Sequence, residues 1–200
     1  LPWAKSLQQF RQRVIFLRSR PDVDAAFADL PDFSAPGLND TLGEWLGPFL
    51  DGITSMAGLK RVDLDAALKH LLSWEQQQMI DTHAPTHITV PSGSRIPVKY
   101  GDENGPLDPP VLAVRLQEMF GLMTTPAIAR NAVPLTLHLL SPAGRPVQIT
   151  RDLANFWNQT YIQVKKDLMG RYPKHYWPDD PRSAMPTNRV KPRAKTGKNK

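Results

Sequence analysis

Apolar side chains along the first 83 residues recur at helical spacing. Trp3, Leu7, Phe10, Val14 and Leu17 advance in alternating steps of four and three, which marks one face of a helix across residues 3–20. Lys5, Arg11, Arg13, Arg18 and Arg20 surround that stripe. They are expected to lay their stems over apolar surface and keep their charges in water; a membrane or an acidic partner is the other reading of such a helix. Pro21 ends it. The stiff connection through Pro21, Pro31, Pro36 and Gly37 leaves room for a short helix near residues 23–30. Asn39 or Asp40 is placed to cap a second helix with Leu42, Trp45, Leu46 and Phe49 on one face. Asp63 opens a third with Leu64, Leu68, Leu71 and Leu72 inward, and Ser73 with Gln76 has the capping-box pattern that starts a fresh helix to about Asp81.

Beyond residue 83 the pattern changes. Residues 86–90 and 95–100 read as strands joined by Pro91-Ser92-Gly93-Ser94, whose Gly can take the positive φ of a tight turn. Residues 101–110 read as a loop, 111–116 as a buried strand before a turn at Gly121, and 135–140 with 146–149 as a hairpin about Ser141-Pro142-Ala143-Gly144-Arg145. Leu153, Phe156, Trp157, Thr160, Tyr161, Val164 and Leu168 then form the most regular helical stripe of the chain. Thr150 is its expected cap and Gly170 its expected stop. The predicted class is α+β. Helical residues 1–83 precede a small, mainly antiparallel sheet of about five short strands. The long helix covers that sheet within residues 84–181, and residues 182–200 follow as a basic tail.

Composition adds limits. Hydrophobic residues make up 40% of the chain, enough for a core, while its 20 prolines are roughly twice the average usage and favour short elements. The chain has no cysteine, which excludes disulfides, thiolate nucleophiles and zinc-thiolate sites. No apolar run approaches the ~20 residues needed to span a bilayer, and no signal-peptide pattern opens the chain, so a cytoplasmic location is expected. Leu1 in place of Met suggests a piece of something longer. The net charge of +6 is unevenly placed: seven cations and no acids lie from Arg182 onward, leaving 18 of the 25 cations against 19 acids before it. Such a tail is expected to be disordered in isolation. It is either a solvated terminus or a counterion-releasing contact with nucleic acid.

Candidate chemistry is sparse. The only Gly-Lys pair, Gly197-Lys198, is followed by Asn199, so no Walker motif exists, and no GxGxxG is present. His70, His83, His87, His138 and His175 give no metal-ligand spacing, because Pro85 breaks the helix that would put His83 and His87 on one face. Asp179-Asp180 before Pro181 reads as a turn rather than a catalytic pair. Ser92 and Ser94 lack a nucleophile elbow. No catalytic residue, metal or cofactor is expected within these 200 residues.

Binding is easier to argue. The segment from Gly170 to Pro181 packs Arg171, Tyr172, Lys174, His175, Tyr176 and Trp177 among three prolines, directly after the long helix. Its aromatics either stack on bases beside neutralising cations or form a strap laid back over the core. Together with Arg95 at a hairpin tip, Arg145 in a turn and Arg189, Lys191 and Arg193 in the tail, these residues are the candidate nucleic-acid contacts.

Thr86-His87-Ile88-Thr89-Val90-Pro91-Ser92-Gly93-Ser94-Arg95-Ile96 resembles a signature of the C-terminal region of the HrpB family, bacterial helicase-like proteins related to the DEAH-box RNA helicases. The likeness continues through Ala113-Val114-Arg115-Leu116-Gln117-Glu118-Met119-Phe120-Gly121, through residues 139–146, and through the aromatic segment. It covers most of residues 64–194. The resemblance implies a parent with two motor lobes that hold ATP and Mg, and an accessory role for this region. RNA or single-stranded DNA and the motor lobes of the same protein are the implied partners. A docking module, for those lobes or for another protein, is the alternative.

Overall fold

Where the sequence offers a side-chain cap, the backbone turns helical. The computed structural model describes residues 3–102 and 105–192. Its described residues fall into two compact units: a helical unit of residues 3–85, 99–108 and 128–132, and a sheet unit of residues 86–98, 109–127 and 133–192.

In the helical unit, α1 (Lys5–Arg18) buries Leu7, Val14, Phe16 and Leu17. One of its arginines departs from expectation. Arg13 is only 5% exposed; it donates to the carbonyls of Ala84 (2.5 Å) and Ile80 (3.3 Å) and to the Asp81 carboxylate (2.5 Å). It caps the C-terminal end of a later helix, where unpaired carbonyls and the helix dipole favour a cation. After Pro21 comes a 3-10 turn, Ala25–Asp29. Ser34, and not Asn39 or Asp40, supplies the next cap, accepting from the Gly37 amide at the start of α2 (Ala35–Asp40). The following α3 (Leu42–Trp45) has no side-chain cap, since the Thr41 hydroxyl donates back to the Gly37 carbonyl. Trp45 is buried and its indole N–H reaches the Leu38 carbonyl at 2.8 Å. A short α4 (Met56–Leu59) leads to α5 (Leu64–Lys69), capped by Asp63, and α6 (Trp74–His83), where both halves of the Ser73/Gln76 capping box form. Ala129, Arg130 and Asn131 take successive left-handed φ values of 50°, 56° and 61°. That turn is closed by Ala132 N–H on the Ala129 carbonyl, and Arg130 pairs with Asp24 at 2.5 Å.

The five-stranded sheet has the order β1-β2-β3-β6-β7, formed by β1 (His87–Thr89), β2 (Arg95–Asp102), β3 (Gly105–Arg115), β6 (Thr136–Leu140) and β7 (Pro146–Thr150). A two-stranded ladder, β4 (Ala127–Ile128) with β5 (Val133–Pro134), went unread in the sequence. The expected loop at 101–110 is largely strand. Its Gly and Pro residues suggested breaks, but strands admit them where no ladder bond is required. Gly93 and Gly144 do take positive φ, 84° and 79°, in the two predicted turns. β3 and β6 pair in parallel, Arg115 opposite Leu140, while β1–β2 and β6–β7 are antiparallel. A parallel neighbour needs a long crossover; residues 116–135 provide it.

The long helix α7 spans residues 153–171 and contains a π-helical stretch, Phe156–Thr160. Leu153, Phe156, Trp157, Tyr161 and Leu168 are buried, as their spacing predicted. Its cap is Asp152, which accepts from the Asn155 amide, while Thr150 instead accepts from the Asp152 amide. Gly170 does not stop the helix; the last turn continues through Arg171, and the Tyr172 amide closes it on the Leu168 carbonyl at 2.7 Å.

Candidate nucleic-acid interface

The segment after α7 is held as a strap on the sheet unit. The Trp177 indole donates to the Tyr172 carbonyl (2.9 Å), closing the Pro173–His175 bend. The Tyr176 ring meets Phe120 edge-on at 6.0 Å, and the Tyr176 amide bonds the Val190 carbonyl at 2.9 Å. The Tyr161 hydroxyl donates to the Pro178 carbonyl (2.9 Å). Burial first, then Tyr176, Asp179 and Asp180, pushes that phenol far above its ordinary pKa, so it remains a donor. The Pro181 carbonyl accepts from Gly121 N–H at 2.9 Å. Asp179 is bonded to Lys165 and Asp180 to Arg182. These bonds hold both carboxyls below the usual range, as partnered turn residues.

A polar frame lies beneath the strap. Gln117 (3% exposed) donates its side-chain amide to the Tyr176 carbonyl at 2.8 Å, and its own carbonyl accepts from Thr187 N–H at 2.9 Å. Glu118 (5% exposed) accepts from the Ser92 hydroxyl at 2.8 Å; its carbonyl also takes the Ser92 amide. The Asn188 side chain reaches the Ser94 hydroxyl at 3.3 Å. The motifs 91–95, 115–121 and 172–181 therefore interlock.

Outside this frame opens a pocket of about 350 Å³ lined by Arg115, Gln117, Pro142, His175, Thr187, Asn188, Arg189 and Val190. It lies where the parallel strands β3 and β6 end. His175 Nδ1 is fully buried and, among the described residues, is the buried side-chain polar atom without a partner. Leaving such an atom unmatched costs about 1–3 kcal/mol.

Of the residues singled out in the sequence, His175 and Arg189 meet in this pocket. Arg95 is exposed at the start of β2, next to the Ser94 that Asn188 touches. Arg145 is exposed in the turn that contributes Pro142, its amide bonded to the Ser141 hydroxyl. Arg171 and Lys174 are exposed beside the strap and do not line the pocket. Tyr172, Tyr176 and Trp177 are half-buried by the contacts already described. Lys191 is exposed outside the pocket, and Arg193 lies outside the described residues. Residues 182–192 differ from the free tail their charge suggested: Ala184 and Thr187 are buried and the backbone is bonded to Gln117 and Tyr176.

Sequence reasoning missed Arg115, Gln117, Thr187 and Asn188. The signal available was a cation and two polar residues, Arg115, Gln117 and Glu118, interrupting an otherwise apolar run. Among the described residues, no group of three or more His, Asp or Glu side chains could hold a metal ion, and no helix is long and apolar enough to cross a membrane.

The family described as ATP-dependent helicase C-terminal, HrpB_C, matches residues 45–181. The chain is 46% identical over 196 residues to the ATP-dependent RNA helicase HrpB of Escherichia coli (strain K12), covering 96% of this chain and 23% of that protein. The crystal structure of the E. coli DExH-box NTPase HrpB superposes with a TM-score of 0.81 at 47% identity, over 94% of this chain and 22% of that one. A second crystal structure, of the E. coli DEAH/RHA helicase HrpB, gives 0.68 at 44% identity, over 88% and 21%. The chain thus spans less than a quarter of the length of these relatives. With the family matched over residues 45–181 and the likeness to the E. coli protein running into the first helices, the chain belongs to the HrpB_C family of ATP-dependent helicase C-terminal regions.

Proposed function

We propose that this chain is a non-catalytic accessory region of an ATP-dependent helicase, which holds single-stranded RNA or DNA beside the motor lobes of the same protein. The observation that carries the reading is the gathering of Arg115, His175 and Arg189 around one open pocket, with Arg95 and Arg145 exposed on turns of the same unit. Cations mounted on a hydrogen-bonded frame can neutralise phosphates without first being ordered. ATP hydrolysis with Mg belongs, in this reading, to motor lobes outside the 200 residues, and the whole enzyme works in the cytoplasm.

The test is the binding of a fluorescent single-stranded oligonucleotide as salt is raised. Each phosphate contacted adds a slope of about −0.7 to log affinity against log salt. Arg95→Ala and Arg145→Ala are each expected to flatten the slope by about that amount. Salt-insensitive binding, or none at low salt, sinks the proposal.

A second reading has its own observation. Ile162 (58% exposed) and Met169 (47%) stand seven residues apart on the outer side of α7. Exposed apolar side chains at that spacing suit a docking module for the helicase core or another protein. Cross-links from α7 to protein alone, with no oligonucleotide binding, would favour it.

A further inference from the structure

We infer that the pocket at the ends of β3 and β6 is a phosphate subsite, seating one phosphate group of a nucleotide strand between Arg115, His175 and Arg189. The inference deepens the strand-holding reading and rests on it for the bearer of the phosphate, but not for the phosphate itself.

Charge is the first argument. Three basic residues line the pocket and no acidic residue does. Of the acids bonded near the strap, Asp179 and Asp180 are paired with Lys165 and Arg182, and Glu118 is bonded to the Ser92 hydroxyl. Among the described residues, neither Arg115 nor Arg189 has a carboxylate within ion-pair distance, whereas Arg13, Arg20, Arg130 and Arg182 are all paired. A guanidinium left free at a pocket wall presents the planar fork that matches phosphate oxygens.

Placement is the second. The basic residues come from three different segments, the end of β3, the strap and residues 187–190, so no single stretch of chain explains their meeting. Gln117, just past β3, fixes the other two segments at once, through the Tyr176 carbonyl and the Thr187 amide, and the Tyr176–Val190 bond ties those two to each other. Thr187 Oγ accepts from the Arg189 amide at 3.1 Å, which sets the direction in which Arg189 leaves the backbone. Such bracing is what a site for a rigid oxyanion requires.

Size is the third argument: about 350 Å³ exceeds a bare oxyanion and admits the attached sugar against Pro142 and Val190, the apolar part of the wall.

The test uses the 200-residue chain, with inorganic phosphate, uridine, uridine 5′-monophosphate and a 5′-hydroxyl oligouridylate as probes, read by amide NMR shifts. Inorganic phosphate and the monophosphate are expected to move the amides of Gln117, Thr187 and Arg189 saturably, and uridine is not. Arg115→Gln and Arg189→Gln, which retain most of each stem, should each weaken phosphate binding by about tenfold with the fold unchanged. Arg61→Gln, at an exposed position of the helical unit, should leave it as it was. Absence of saturable shifts at those amides, or shifts that persist in the Arg115→Gln/Arg189→Gln double variant, overturns the inference. If the oligouridylate binds the double variant as well as the native chain, the pocket is no strand subsite, although the strand-holding reading survives. If phosphate binds but the native chain takes up no oligonucleotide, the subsite stands and the strand-holding reading falls.

Discussion

Arg13 and His83 both depend on neighbours that sequence spacing does not reveal. Arg13 sits beside an apolar stripe and reads as a surface residue, yet its guanidinium serves the last carbonyls of α6, 67 to 71 positions later. His83, at the end of α6, lies 5.6 Å from the Phe27 ring. Burial first, then Arg130, lowers its pKa from 6.5, with Asp24 opposing. The folded state therefore prefers the neutral ring, and protonation favours unfolding. Stability from this source is complete above the unfolded value of 6.5 and is lost as pH falls toward the lower folded value. The urea midpoint of the native chain should drop between pH 7 and pH 5, and His83→Gln should flatten that drop. An equal drop in both would show that another group titrates.

Elements were legible where the signal was local. The capping box of α6, the two glycine turns and the inner stripe of α7 rest on residues within a few positions of each other, and all are present. The continuation of β2 and β3 through glycines and prolines was not legible, because a strand is completed by its neighbour rather than by its own sequence. The parallel pairing of β6 with β3 was hidden for the same reason. Packing on α7 turns on Phe120, which follows β3 and is enclosed by Trp157 (6.0 Å), Tyr161 (6.1 Å) and Tyr176 (6.0 Å). Phe120→Ala should cost about 3–5 kcal/mol, seen as a lower denaturation midpoint. It should also release the strap, so that proteolysis near Lys174 becomes faster. A loss below about 1 kcal/mol would mean that the three rings close over the gap.

Taken whole, the chain alternates between its two units, and the candidate site was only half visible from its letters. Cations and aromatics of the strap stood out by composition. Arg115, Gln117, Thr187 and Asn188 did not, since their part comes from partners far along the chain. The boundary set by charge at residue 182 is also later in space than in sequence. A chain ending at Pro192 is expected to keep native stability. One ending at Pro181 loses the bonds of Thr187 to Gln117, Val190 to Tyr176 and Asn188 to Ser94. Its unfolding free energy should fall by about 2–4 kcal/mol, measured by urea titration. Equal stability of the two would show that residues 182–192 rest on the sheet unit without supporting it.

The bond between Gln117 and Tyr176 joins residues 59 positions apart. At a translation rate of about 5–20 residues per second, a ribosome needs roughly 3–12 s to make the second after the first. For that interval the emerging polypeptide carries a naked Phe120 and an idle glutamine. Nascent sheet units of this kind should therefore attract chaperones on the way out of the exit tunnel, and slower decoding of codons 118–176 should lengthen that exposure.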